Sequence, residues 1–127
     1  MDFADFLEPC YQLAWKTLAA EGEFAPFGAA LLPGDEIKAF LSETGEIEGI
    51  RRELKAGLQS EKFIMTALVC DATIAVPTDT PQKIIAVYLD GPNAWSKLAI
   101  VPYQIGPDGQ IASEAATIGE NPEPLLK

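Results

Sequence analysis

The sequence contains no histidine and only two cysteines, Cys10 and Cys70. Without histidine, neither a Ser-His-Asp nor a Cys-His catalytic arrangement can form, and the most common general base is missing. Two widely separated cysteines do not make a zinc site. We expect both to be reduced, buried thiols, because free cysteine packs as a small hydrophobic side chain. The sequence therefore predicts no catalytic residue, no metal and no cofactor.

Phosphate-binding glycine motifs are also absent, since neither GxxxxGK[ST] nor GxGxxG occurs. The remaining candidates for acid–base chemistry are carboxylates. Asp71 and Asp90 are predicted to share a sheet face with Tyr88 and Tyr103, but acids at strand ends beside turns are common surface features. We therefore expect that the protein is not an enzyme.

No apolar run reaches the ~18 residues of a membrane span. The N-terminal segment carries Asp2 and Asp5 where a signal peptide would carry basic residues. A chain of 127 residues has the size of one domain with its own core. The expectation is a single domain over residues 1–127, in the cytoplasm, with no membrane contact.

Basic residues are scarce: nine Lys and Arg stand against nineteen Asp and Glu, and the net charge is −10. The excess is concentrated in residues 1–48, where ten acids face two lysines, a balance of −8. Such a charge repels the phosphate backbone, so no nucleic acid is expected. It favours a basic protein as a partner, because opposite potentials steer encounter. The alternative is that an acidic surface only keeps the protein soluble.

The first half of the chain predicts a helix, a hairpin and a second helix. Residues 2–21 place apolar side chains at three- and four-residue spacing, although Pro9 requires either a late start or a kink. Residues 24–41 read as a β-hairpin that turns at PGDE. After a loop at 42–46, residues 47–60 repeat the helical spacing, and Arg51, Arg52 and Lys55 form a basic cluster on that helix.

The second half predicts strands. The run from Lys62 to Val76 is the most apolar in the chain and is rich in β-branched residues, so we place it at the centre of the sheet. Ile84–Asp90 and Trp95–Ile105 follow after short turns, which favour antiparallel neighbours. A further short strand is expected within residues 110–118, and a loosely held tail from about residue 119.

These elements predict a two-layer α+β domain. It has an antiparallel sheet of about five strands, two helices on one face, and the order α-β-β-α-β-β-β. The face beneath the helices is expected to collect Ile64, Leu68, Ile74, Ile85, Val87, Leu89, Leu98 and Ile100. An apolar patch with aromatics and a polar rim is typical of protein interfaces. The outer face is predicted to carry such a partner-binding patch, formed by Phe63, Met65, Asp71, Tyr88, Asp90, Val101 and Tyr103. The alternative is that Trp15 or the C-terminal segment folds over it.

The order helix, hairpin, helix and three antiparallel strands resembles the roadblock and profilin-like α+β proteins. The pattern Phe24-x-Pro26-Phe27-Gly28-Ala29, with Pro102-Tyr103 in a later strand, looks like small uncharacterised bacterial proteins without an assigned activity. The resemblance implies a fold and carries no functional residue.

Three hypotheses about function follow. The first is a non-catalytic protein-binding module that forms a homodimer through the outer sheet face. The second is an acidic inhibitor or immunity-type protein that masks a basic toxin or nuclease. The third is a small-molecule binder that uses Asp71, Asp90 and Tyr88.

Overall fold

The computed structural model describes residues 3–22, 24–41, 46–74, 82–91, 95–108, 110–113, 116–122 and 125. Positions 42–45 of the predicted loop at 42–46 lie outside these residues. So do the end of the central strand at 75–76 and most of the turn that follows. The elements in chain order are α1 (Phe3–Glu21), β1 (Phe27–Leu32), β2 (Glu36–Leu41), α2 (Ile47–Gln59), β3 (Met65–Ile74), β4 (Gln82–Asp90), β5 (Ser96–Ile105), β6 (Ile111–Ser113) and β7 (Thr117–Glu120).

The predicted α+β class with an antiparallel sheet is confirmed. Over the described residues the sheet has seven strands where about five were expected. Their order is β2-β1-β3-β4-β5-β6, and β7 also pairs with β5. All of its pairings are antiparallel. β3 pairs with β1 on one side and β4 on the other, so the apolar run does lie inside the sheet. The segment expected to add one short strand adds two, and both extend the sheet from β5.

The two helices pack on opposite faces of the sheet, so the expected arrangement of both helices on one face is wrong. Along β1, Phe27, Ala29 and Leu31 join the hydrophobic cluster of α1. Ala30 between them joins the cluster of α2. The physical reason is the burial of β1 on both sides, since a strand that is apolar on two faces needs cover on each. We call the two sides of the sheet the α1 face and the α2 face.

The packing of α2 requires a glycine in β1. A Cβ added at Gly28 would lie 2.7 Å from Cγ2 of Ile50 and 3.3 Å from Cδ1 of Leu54. The absence of a side chain therefore lets the helix approach the strand closely. Close approach at Gly28 was expected, with α1 as the suggested neighbour, and the structure places α2 there.

Helix α1 runs through Pro9 as one helix from Phe3 to Glu21. It ends at Gly22, which has φ +77° and whose N–H donates to the Leu18 carbonyl at 2.8 Å. A glycine accepts this left-handed conformation without the Cβ clash of other residues. Within the described chain, no helix is long and apolar enough to span a bilayer.

Two described residues of the predicted tail, Asn121 and Leu125, are buried. Strand β7 ends at Glu120, and Asn121 after it is buried. Leu125 is 6% exposed and belongs to the α2 cluster. Leu125 is therefore part of the core on the α2 face.

Candidate functional site

The seven residues predicted to form one outer surface are divided between the two faces of the sheet. Since each face carries a helix, the expected open face does not exist over these residues. Met65, Asp71, Val101 and Tyr103 lie on the α1 face. Phe63, Tyr88 and Asp90 lie on the α2 face.

On the α1 face, Tyr103 is 1% exposed and is part of the hydrophobic core. Its hydroxyl donates to Oδ1 of Asp71 at 2.6 Å, and its ring meets Trp15 edge-on with centroids 5.7 Å apart. Burial, together with the Asp71 carboxylate, raises the pKa of Tyr103. The contact of Trp15 with Tyr103 agrees with the alternative in which Trp15 or the C-terminal segment folds over the predicted patch.

On the α2 face, Asp90 anchors the C-terminal segment. Its side chain is 3% exposed, and Oδ1 accepts hydrogen bonds from the Ser96 hydroxyl and the Leu125 N–H, each at 3.0 Å. Burial raises the pKa of Asp90, against the opposing effect of these bonds and of the Arg51 charge. Because Asp71 lies on the other face, the two carboxylates do not form a pair for acid–base chemistry.

Both cysteines are free. Cys10 is buried and its thiol donates to the Phe6 carbonyl at 3.4 Å, while burial raises its pKa to about 12. Cys70 is half-buried, and burial raises its pKa to about 11 in spite of the nearby Arg51 charge. Both thiols are therefore protonated near neutral pH, where the nucleophilic form would be the thiolate.

A surface that the sequence did not single out is the outer edge of β2. Among the described strands, β2 pairs only with β1. Glu36, Ile37, Lys38 and Ala39 are all exposed, and Ile37 is 38% exposed. An edge strand presents backbone N–H and C=O groups that another strand can pair with. The hairpin was predicted, but its position at the sheet edge depends on a strand order that the sequence does not show.

A groove lies beside this edge, between β2 and the C-terminal half of α2. It has a volume of about 580 Å³. The Phe40 and Phe63 rings meet at a centroid distance of 5.5 Å, and Nζ of Lys38 lies 5.1 Å from the centre of the Phe40 ring. The lining residues are Leu32, Lys38, Phe40, Glu53, Ala56, Gly57, Ser60, Lys62 and Phe63.

Gly57 sets the position of the Phe63 ring. A Cβ at Gly57 would lie 2.0 Å from Cδ2 of Phe63, so the ring occupies the space that a side chain would need. The Gly57 carbonyl also accepts the N–H groups of Lys62 and Phe63, at 3.0 and 3.1 Å. This contact explains a glycine inside a helix, where it would otherwise cost stability relative to alanine.

The described acids of the first 48 residues do not form one patch. Asp5, Glu8 and Glu21 lie on α1, whereas Asp35 and Glu36 lie at the hairpin. Glu46 and Glu48 stand at the start of α2, which packs on the opposite sheet face. The strong acidity of this part of the chain is therefore distributed over several elements.

In the described part of the chain, no three His, Cys, Asp or Glu side chains come together as a metal-binding group. Comparison with protein-family models, with curated proteins and with solved structures finds no match to this chain. The resemblance to roadblock and profilin-like proteins therefore stays a prediction.

Proposed function

We propose that this protein is a non-catalytic protein-binding module that self-associates through the outer edge of β2. The observation that carries the proposal is the position of β2, which among the described strands pairs with β1 alone and has four successive exposed residues. A second strand added there would satisfy the outer backbone groups and cover apolar side chains.

The edge is a better binding surface than either face of the sheet. Val101, Tyr103 and Asp90, which were predicted to bind a partner, are 4%, 1% and 3% exposed. Ile37 on β2 is 38% exposed. Covering its remaining apolar surface contributes about 1–2 kcal/mol per copy, at ~25 cal/mol for each Å².

Pairing of β2 with β2 of a second copy gives a closed assembly. The same edge is used on both copies, so the contact is isologous and does not propagate. Pairing of β2 with the opposite edge of the sheet, at β6 and β7, would instead be a head-to-tail contact, which gives a ring or an open filament. The short length of β2 and its charged Glu36 and Lys38 limit pairing with unrelated strands.

We place the protein in the cytoplasm. Cys10 and Cys70 are both free, and cytoplasmic thiols are kept reduced. The net charge of −10 favours a basic protein as a further partner, as in the inhibitor hypothesis. Salt-sensitive capture of a basic protein by a chain that stays monomeric would support that second function in place of the first.

Sedimentation equilibrium over a hundredfold range of concentration tests self-association. We expect the wild-type chain to form dimers at high concentration and Ile37→Lys to stay monomeric with an unchanged circular dichroism spectrum. Ile118→Lys is the matched control, because Ile118 is 44% exposed on β7, at the edge of the sheet opposite β2. A monomer at every concentration, or equal loss in the control, would contradict the proposal.

A further inference from the structure

The chemistry of β2 selects one way in which two copies can pair. We propose that β2 strands of two copies pair antiparallel about Ala39, and that Phe40 of the second copy completes the groove beside α2. This inference rests on the self-association proposed above, and it adds the register and a residue that the second copy contributes.

Symmetry restricts the register. A two-fold axis that joins two identical antiparallel edges is perpendicular to the sheet, so the α2 face of one copy continues as the α2 face of the other. Side chains directly opposite each other point to the same face, and successive residues of a strand alternate between faces. Each allowed register is therefore centred on one residue of β2. Among the six residues Glu36–Leu41, centring on Lys38 or on Ala39 pairs five, and every other centre pairs fewer.

Charge decides between these two centres. A register centred on Lys38 places the lysines of the two copies directly opposite each other, and opposed like charges destabilise a sheet. A register centred on Ala39 places Lys38 opposite Phe40 of the second copy, twice by symmetry. Directly opposite side chains have Cβ atoms about 4.5–5.5 Å apart, which is within reach of a cation–π contact.

The same contact already exists inside one chain. Lys38 and Phe40 share the α2 face, and Nζ of Lys38 lies 5.1 Å from the centre of the Phe40 ring. Pairing about Ala39 extends this contact into an alternating array of two lysines and two phenylalanines. On the α1 face, Ala39 meets Ala39 of the second copy, so small side chains occupy the axis.

The groove receives the added side chain. Lys38 and Phe40 form its β2 wall, opposite Glu53, Ala56 and Gly57 of α2. A strand added beyond β2 places its α2-face side chains along that wall. Phe40 of the second copy then adds a third ring to the Phe40–Phe63 pair, whose centroids are 5.5 Å apart. The groove is therefore complete only when two copies pair.

Replacement of Lys38 distinguishes the registers by the sign of its effect. In the Ala39 register, Lys38→Gln removes two symmetric cation–π contacts and weakens dimerisation about fivefold or more. In the Lys38 register it removes a repulsion and strengthens dimerisation. Lys55→Gln, an exposed lysine on α2 that does not line the groove, is the control and should leave the dimer constant unchanged.

Cysteine cross-linking locates the axis. We expect Ala39→Cys to give an intermolecular disulfide under mild oxidation, and Ile37→Cys to give much less. The wild-type chain reports any background from Cys10 and Cys70. Efficient cross-linking of Ile37→Cys alone, or tighter dimers for Lys38→Gln, would overturn the register while self-association stands. A monomeric wild-type chain in sedimentation would overturn self-association itself.

Discussion

Replacement of Gly57 by alanine should lower the stability of the protein, although alanine is the better helix former. In an open position of a helix, glycine to alanine stabilises by about 1 kcal/mol. At Gly57 the new Cβ would lie 2.0 Å from the Phe63 ring, which must move. Movement of the ring away from Phe40 removes an aromatic contact that stabilises the fold by about 0.5–1.5 kcal/mol. Overpacking destabilises the fold by about a further 1–3 kcal/mol.

The same helix supplies the control. Gly49 also lies in α2, and a Cβ there would meet nothing within 4 Å. We expect Gly49→Ala to raise the free energy of unfolding by about 0.5–1 kcal/mol, and Gly57→Ala to lower it by about 1 kcal/mol. Urea unfolding followed by circular dichroism at 222 nm measures both changes. Equal m-values, the slopes of the free energy of unfolding against urea concentration, would confirm that the unfolded states are alike.

A double-mutant cycle isolates the cause. If the Phe63 ring is what Gly57→Ala disturbs, then in a Phe63→Ala background the same substitution should become stabilising. The reasoning would be refuted if Gly57→Ala stabilised the protein as much as Gly49→Ala does, because the ring would then have moved without cost.

Three further predictions concern the core. Burial raises the pKa of Asp90, so the native state binds its proton more tightly than the unfolded state does. The free energy of unfolding should therefore fall as the pH rises from the ordinary value of 3.8 through the raised pKa, and Asp90→Asn should remove that part of the slope in urea unfolding. Parallel curves for the two proteins would contradict this. Leu125→Ala should lower the free energy of unfolding by about 2 kcal/mol, because Leu125 is 6% exposed. Ile118→Ala, at a site that is 44% exposed, should change it by less than about 0.5 kcal/mol. Tyr103→Phe removes the donor to Asp71 and should lower the free energy of unfolding by about 1–2 kcal/mol. In an Asp71→Asn background the same substitution should lower it by less. Equal losses in both backgrounds would show that the hydrogen bond is not responsible.

The secondary structure was largely readable from local patterns. The predicted helix at 47–60 is α2 at Ile47–Gln59, and the predicted strand at Trp95–Ile105 is β5 at Ser96–Ile105. Helical spacing, strand alternation and turn residues all depend on a few neighbouring positions, so they can be recognised in the sequence alone. The burial of Leu125 was not predicted, because it depends on contacts with residues distant in sequence, such as the bond from the Leu125 N–H to Asp90.

The predicted faces failed for a different reason. Alternation shows which residues of one strand share a face, but it does not relate the phase of one strand to that of the next. Leu98 and Ile100 were grouped with Val87, yet the register pairs Val87 with Ala99 and Tyr88 with Leu98. Leu98 therefore shares the face of Tyr88, and the predicted outer patch mixed residues from both faces.

By itself, the sequence determined the α+β class, the positions of most helices and strands, and the acidic character of the chain. Only the tertiary structure decided that α1 and α2 cover opposite faces, that Asp71 and Asp90 are separated, and that β2 lies at an edge beside a groove. The first group depends on spacing along the chain. The second depends on strand order and on packing between segments far apart in sequence, which a linear pattern does not encode.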